Sequence, residues 1–166
     1  MTDTSRSGCP INLSLEVLGD KWSLLIIRDM MFGNRRHFRE LLTKSEEGIS
    51  SNILADRLKT LLDEKIITRE DDPTHKQKGI YSLTEQGIEL LPAMIALRQW
   101  GEKWGAGVPS TPVLVDARDE QPIGPVTLTA HDGRVIGYKE LLWKHRAELQ
   151  PLGQARVRGE AAMAPV

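Results

Sequence analysis

The side chains best placed for chemistry lie in one stretch, Gly48 to Glu64. Ser50 is a good helix N-cap, and Leu54, Leu58, Leu61 and Leu62 follow at offsets of four, three and one, the apolar stripe of a helix docked on a core. Ser51, Asn52, Ala55, Asp56, Arg57 and Lys59 fall off that stripe. The ones nearest the N-terminus are short and polar, so they could enter a groove without clashing and hydrogen-bond to base edges of a duplex. An ordinary amphipathic surface helix would show the same stripe, so the flanking chain has to separate the two readings.

Upstream, Arg35, Arg36 and His37 precede Phe38, Leu41 and Leu42, a short helix with one apolar face. The connector Lys44 to Gly48 then joins it to the polar-tipped helix, and two helices around a tight Gly-containing turn make a helix-turn-helix. Downstream, Ile66–Glu70 and Gly79–Thr84 are β-branched runs separated by a polar, Pro-containing tip. That is a two-stranded hairpin, and its tip carries His75, Lys76 and Lys78. A helix-turn-helix followed by such a hairpin is the winged form of the fold. In this reading Ser50 caps the recognition helix and Ser51, Asn52 and Arg57 meet base edges. Arg35, Arg36, His75, Lys76 and Lys78 are placed near phosphates.

The elements that hold this arrangement are helical. Pro10 opens a first helix with Asn12 as its expected cap and Gly19 as its end, and Asp20 caps a second, Lys21 to Phe32, apolar nearly all round and therefore central. Gly33-Asn34 stops it. Thr84 caps a long helix to about Gly105, expected to kink or break locally at Pro92. Its residues Ile88, Leu90, Leu91, Met94, Ile95, Leu97, Trp100 and Trp104 cover more than one face, so a second subunit is the economical partner.

The fold class is thus mainly α with a small β component: a winged helix-turn-helix domain with helical dimerisation elements. Residues 1–8 read as a mobile arm, 9–107 as the winged domain with its dimerisation helix, 108–150 as a small C-terminal unit, and 151–166 as a disordered tail. Within the C-terminal unit, three short strands (Val113–Val115, Val126–Thr129, Val135–Tyr138), a turn at Asp132-Gly133 and a helix from Lys139 to Leu149 are expected.

Net charge is −1 over 166 residues. Bulk charge therefore neither favours nor excludes a polyanion, and only the placement of charge bears on it. No run of about 18 apolar residues could span a bilayer, and Met1-Thr2-Asp3 begins no basic, apolar leader, so the expected address is the cytoplasm. The single cysteine, Cys9, excludes a disulfide scaffold and a Cys-based zinc finger. Its chemistry is that of a lone thiol or of a bond between chains. His37, His75, His131 and His145 have no ligand spacing, so no metal or cofactor is expected. No base is placed near Cys9 by any motif, and no Gly-rich phosphate loop appears, which argues against an enzyme. The acidic Asp56, Asp63 and Glu64 keep an alternative open: a winged-helix protein-interaction module without DNA binding.

Cys9-Pro10, Leu18-Gly19-Asp20-Lys21-Trp22, Phe38-Arg39-Glu40-Leu41, Gly48-Ile49-Ser50, Leu54, Leu58, Tyr81–Gly87 and Trp100-Gly101-Glu102 together resemble the HxlR family of bacterial winged-helix transcriptional regulators, relatives of the MarR group. The resemblance spans Cys9 to Trp104. It implies a homodimer formed through the first and last helices, with two recognition helices in successive major grooves of a pseudo-palindromic double-stranded DNA operator. It also implies an effector, an oxidant, electrophile or small molecule, with Cys9 at the position of a redox sensor. The wing tip is longer and more cationic than the family's compact form, and the region after Gly107 is an addition to its minimal domain.

Overall fold

The computed structural model describes residues 7–73, 79–106 and 111–149. The chain divides into two compact units between Val126 and Thr127, inside the segment 108–150 that the sequence groups together. Among the described residues, no helix is long and apolar enough to cross a membrane.

In the first unit, helix α1 (Pro10–Leu18) starts one turn earlier than expected, with Cys9 rather than Asn12 at the N-cap. The reason is Pro10, whose fixed φ and missing N–H suit the first helical position. Asn12 instead donates from its amide to Glu16 Oε1 at 2.9 Å. Asp20 does cap the entry to α2 (Ser23–Met31): its Oδ1 accepts from the Trp22 and Ser23 amides at 2.7 and 3.0 Å. Helix α2 buries Ser23, Ile26, Ile27, Asp29 and Met30, and Asn34 reverses the chain after it with φ 47°.

Helices α3 (Phe38–Thr43) and α4 (Ser51–Asp63) are joined by a turn in which Gly48 takes φ +68°, a conformation L side chains rarely adopt. Leu54, Leu58 and Leu61 of α4 are buried against Ile26, Ile27, Leu41, Ile66 and Ile67. The leucine stripe is therefore the core face, and each such side chain contributes roughly 1.5–3 kcal/mol on burial.

Strands β1 (Ile67–Asp71) and β2 (Gly79–Leu83) pair antiparallel with Ile67 opposite Leu83 and Asp71 opposite Gly79. The chain ahead of α3 extends this sheet by a single bridge, His37 to Ile80, with the Tyr81 amide donating to the Arg36 carbonyl at 2.8 Å.

The long terminal helix is two helices, α5 (Glu85–Ile88) and α6 (Leu91–Trp100), followed by a π-helical turn, Gly101–Ala106. The break falls before Pro92, which occupies the first turn of α6, where no N–H is needed. Thr84 Oγ1 donates toward the Lys65 and Ile66 carbonyls (2.8 and 3.0 Å) and accepts from the Gly87 amide at 3.2 Å. A Cβ on Gly87 would lie 2.4 Å from the Ile66 carbonyl oxygen. The Thr84-to-Gly87 step thereby clamps α5 against the end of β1.

After residue 110, the expected strands reduce to isolated bridges, Val115 to Pro122 in the first unit and Thr129 to Val135 in the second. Gln99 holds the first of these segments to α6, donating to the Gly124 carbonyl (3.0 Å) and accepting from the Val126 amide (2.8 Å). In the second unit the turn at Asp132-Gly133 is present, Gly133 having φ +82°. The helix expected over Lys139–Leu149 is two short 3-10 turns, Tyr138–Glu140 and Arg146–Glu148. Tyr138 and Trp143 are almost fully exposed, so no apolar face is buried to support a longer helix.

Candidate nucleic-acid interface

Helix α4 presents Ser51, Asn52, Ala55, Asp56 and Lys59 on its exposed side. The Ser50 hydroxyl caps the helix by accepting from the Ile53 amide at 3.4 Å. Ile53, which the sequence reading did not single out, is 40% exposed beside Asn52. An exposed isoleucine in the first turn could pack on a thymine methyl group, and the signal for it was its position one residue ahead of the leucine stripe. Asn52, Ile53, Asp56 and Arg57 line one side of an open groove of about 410 Å³, whose other side is Asp20 and Trp22 at the entry to α2.

Arg57 is part of this groove but is not free. Its guanidinium bonds the Asp56 carboxylate and lies 3.4 Å from Asp20 Oδ2. Burial works to raise the Asp20 pKa, but the Ser23 hydroxyl, the Trp22 and Ser23 amides and the Arg57 charge together hold it below the usual carboxylate range.

The adjacent arginines separate. Arg35 is mostly buried and pairs with Asp29 at 2.6 Å. Arg36 is exposed, and its guanidinium bonds Ser82 Oγ and the Tyr81 carbonyl, fastening the loop to β2. His75, Lys76 and Lys78 lie outside the described residues.

An unforeseen ion network holds the helix-turn-helix turn. Arg28 makes a bidentate pair with Glu47 (2.6 and 2.9 Å) and bonds the buried Asp29 at 2.7 Å, which in turn holds Arg35. Glu47 immediately precedes Gly48. Its hydrogen bonds to Arg28 depress its pKa to about 2 against the working of burial. The signal in the sequence was Arg28-Asp29 inside an otherwise apolar helix, since charges there require partners.

Cys9 is exposed at the N-cap of α1, and its carbonyl accepts from the Leu13 amide at 3.0 Å. Among the described residues no three His, Cys, Asp or Glu side chains group as a metal site would require.

A helix-turn-helix packed through leucines, with a polar outer face and a two-stranded wing beside it, is a winged-helix DNA-binding architecture. The model of the HxlR-like helix-turn-helix family matches residues 17–108, and the chain belongs to that family. It is a transcriptional regulator of the HxlR type. It is 35% identical to an uncharacterized HTH-type transcriptional regulator of Synechocystis over 58% of this chain and 70% of that one. It spans 60% of the length of an uncharacterized HTH-type transcriptional regulator of Mycobacterium bovis, at 34% identity, and 99% of the putative regulatory protein MalR of Fusobacterium mortiferum, at 32% identity. The solved structure of PA1607 superposes with a TM-score of 0.77 at 33% identity, covering 86% of this chain and 99% of that one. The likeness therefore runs past residue 108. The redox regulator HypR in its reduced form matches with a TM-score of 0.51 at 30% identity, over 57% of this chain and 92% of HypR.

Proposed function

We propose that this regulator works as a homodimer on a pseudo-palindromic operator, each protomer laying the N-terminal part of α4 in the major groove. The observation that carries this reading is the division of α4 into a buried leucine face and an exposed face of Ser51, Asn52, Ala55, Asp56 and Lys59. Ser51, Asn52 and Arg57 meet base edges, with Ile53 as an apolar contact. Arg36 and the wing residues His75, Lys76 and Lys78 hold phosphates, while Arg35 sets the loop that carries Arg36.

Apolar surface that the fold leaves open supports the dimer. Helix α1 has no buried residue and exposes Ile11, Leu13 and Leu15, and the far end exposes Leu91, Leu97, Trp100 and Trp104. A stable interface of standard size needs about 800 Å² per protomer, and these exposed side chains supply apolar area toward it. The regulator works in the cytoplasm and takes an effector. Its Cys9 thiol, exposed in each protomer, joins a partner thiol when an oxidant removes two electrons and two protons.

Gel shifts on the protein's own upstream DNA and on a shuffled duplex test the reading. Asn52→Ala is expected to weaken upstream binding about 10- to 100-fold and to leave shuffled DNA nearly unchanged. Equal loss on both duplexes overturns the base-edge role of Asn52, and no retention of the wild-type protein by either duplex at low salt overturns the reading in favour of a protein-interaction module.

A further inference from the structure

We infer that Asp20, which lies outside the helix-turn-helix, is a specificity-determining residue: it holds the Arg57 guanidinium toward base edges and away from phosphates. The inference rests on the proposed base-edge role of Arg57. Arg57 stands between two carboxylates, bonded to Asp56 on its own helix and 3.4 Å from Asp20 Oδ2 across the groove. Asp20 is itself fixed, because its oxygens accept from two backbone amides and from the Ser23 hydroxyl. Ser23 has no exposed surface. The acid is therefore a rigid post rather than a mobile surface carboxylate.

Two consequences follow. An arginine on a flexible stem presents a planar fork only when something sets the plane of that fork, and a post anchored in α2 together with Asp56 does so before DNA arrives. The second consequence is electrostatic. One guanidinium facing two carboxylates has its own charge compensated, so it draws a phosphate less than a free arginine would but still offers its N–H groups to neutral base edges. The same pair thus favours the correct ligand and penalises the non-specific one, and discrimination comes from both. Trp22 and Ile53 add apolar surface on either side of the groove, and Asn52 adds an amide beside Ile53.

The test is a double-mutant cycle on the full chain, read as the ratio of affinity for a duplex enriched by the wild-type protein from a random pool to affinity for a shuffled duplex. Asp20→Asn removes the charge and keeps an amide-capping oxygen. It is expected to lower the ratio about tenfold, mainly by tightening shuffled binding, and to do nothing to the ratio in an Arg57→Ala background. Asp20→Ser, which also caps, is expected to repeat the result and covers the case in which the asparagine variant fails to fold. If Arg57→Ala lowers the ratio but neither Asp20 variant does, the inference falls and the base-edge reading stands. If Arg57→Ala leaves the ratio intact, both fall. An equal drop in the two backgrounds also overturns the inference, because Asp20 would then act on the fold or on the field rather than through Arg57.

Discussion

The winged core and the outer faces of α1 and α6 treat the same kinds of residue in opposite ways. In the core Leu41, Leu54, Leu58, Leu61 and Ile67 are 2% exposed or less; on α1 and α6 Ile11, Leu15, Leu97 and Trp100 are more than half exposed. The core closes on itself, whereas the second surface stays open, and it is there that the proposed dimer would form. If the proposed dimer forms there, substitutions of similar chemistry in the two regions should fail in different assays.

The largest effect is expected in the core. Leu58→Ala should destabilise the protein by about 2–5 kcal/mol in denaturant unfolding, through lost burial and the cavity left behind. Gly87→Ala, which drives a Cβ into the Ile66 carbonyl, should cost about 1–3 kcal/mol in the same assay. Trp100→Glu should leave the unfolding of the protomer nearly unchanged while weakening self-association at least thirtyfold in sedimentation experiments, as a buried aromatic anchor does. If Trp100→Glu unfolds the protein, or leaves its association untouched, the comparison between the regions is wrong.

The smallest effect concerns the ion network at the helix-turn-helix turn. With its pKa lowered from 4.5 to about 2 by Arg28, Glu47 contributes stability that is present above pH 4.5 and is lost as pH falls toward 2. Because both partners are about a third exposed, the effect should be only about 1 kcal/mol after solvent screening. Glu47→Gln should remove that part of the acid sensitivity, measured as the difference in melting temperature between pH 5 and pH 3.

How much of this could be read from the chain depends on whether periodicity or pairing decides the outcome. The leucine stripe of α4, the Ser50 cap and the hairpin from Ile67 to Leu83 follow from local pattern, and the structure has them as expected. Arg35 and Arg36 show the opposite case. They are neighbours of the same type, yet one is mostly buried against Asp29 and the other fastens β2, because Asp29 and Ser82 come to them only through the tertiary fold. The pairing of Arg57 with Asp20 is likewise set by how α2 meets α4, and no spacing rule announces it. The break expected at Pro92 is present, at Glu89-Leu90, because the proline suits the first turn of a new helix and not the interior of an old one. After residue 110, alternating apolar residues suggest strands, but a pattern forms a sheet only where partners accumulate, and among the described residues there single bridges are all that form.

The central claim is that two copies of α4, held together through α1 and α6, read one operator. Hydroxyl-radical footprinting of the purified protein on its own upstream DNA tests it most directly. The account predicts two protected stretches on one face of the duplex, about 34–36 Å apart from centre to centre, appearing together at one protein concentration and both vanishing with Trp100→Glu. A single protected stretch that persists unchanged in Trp100→Glu would contradict it.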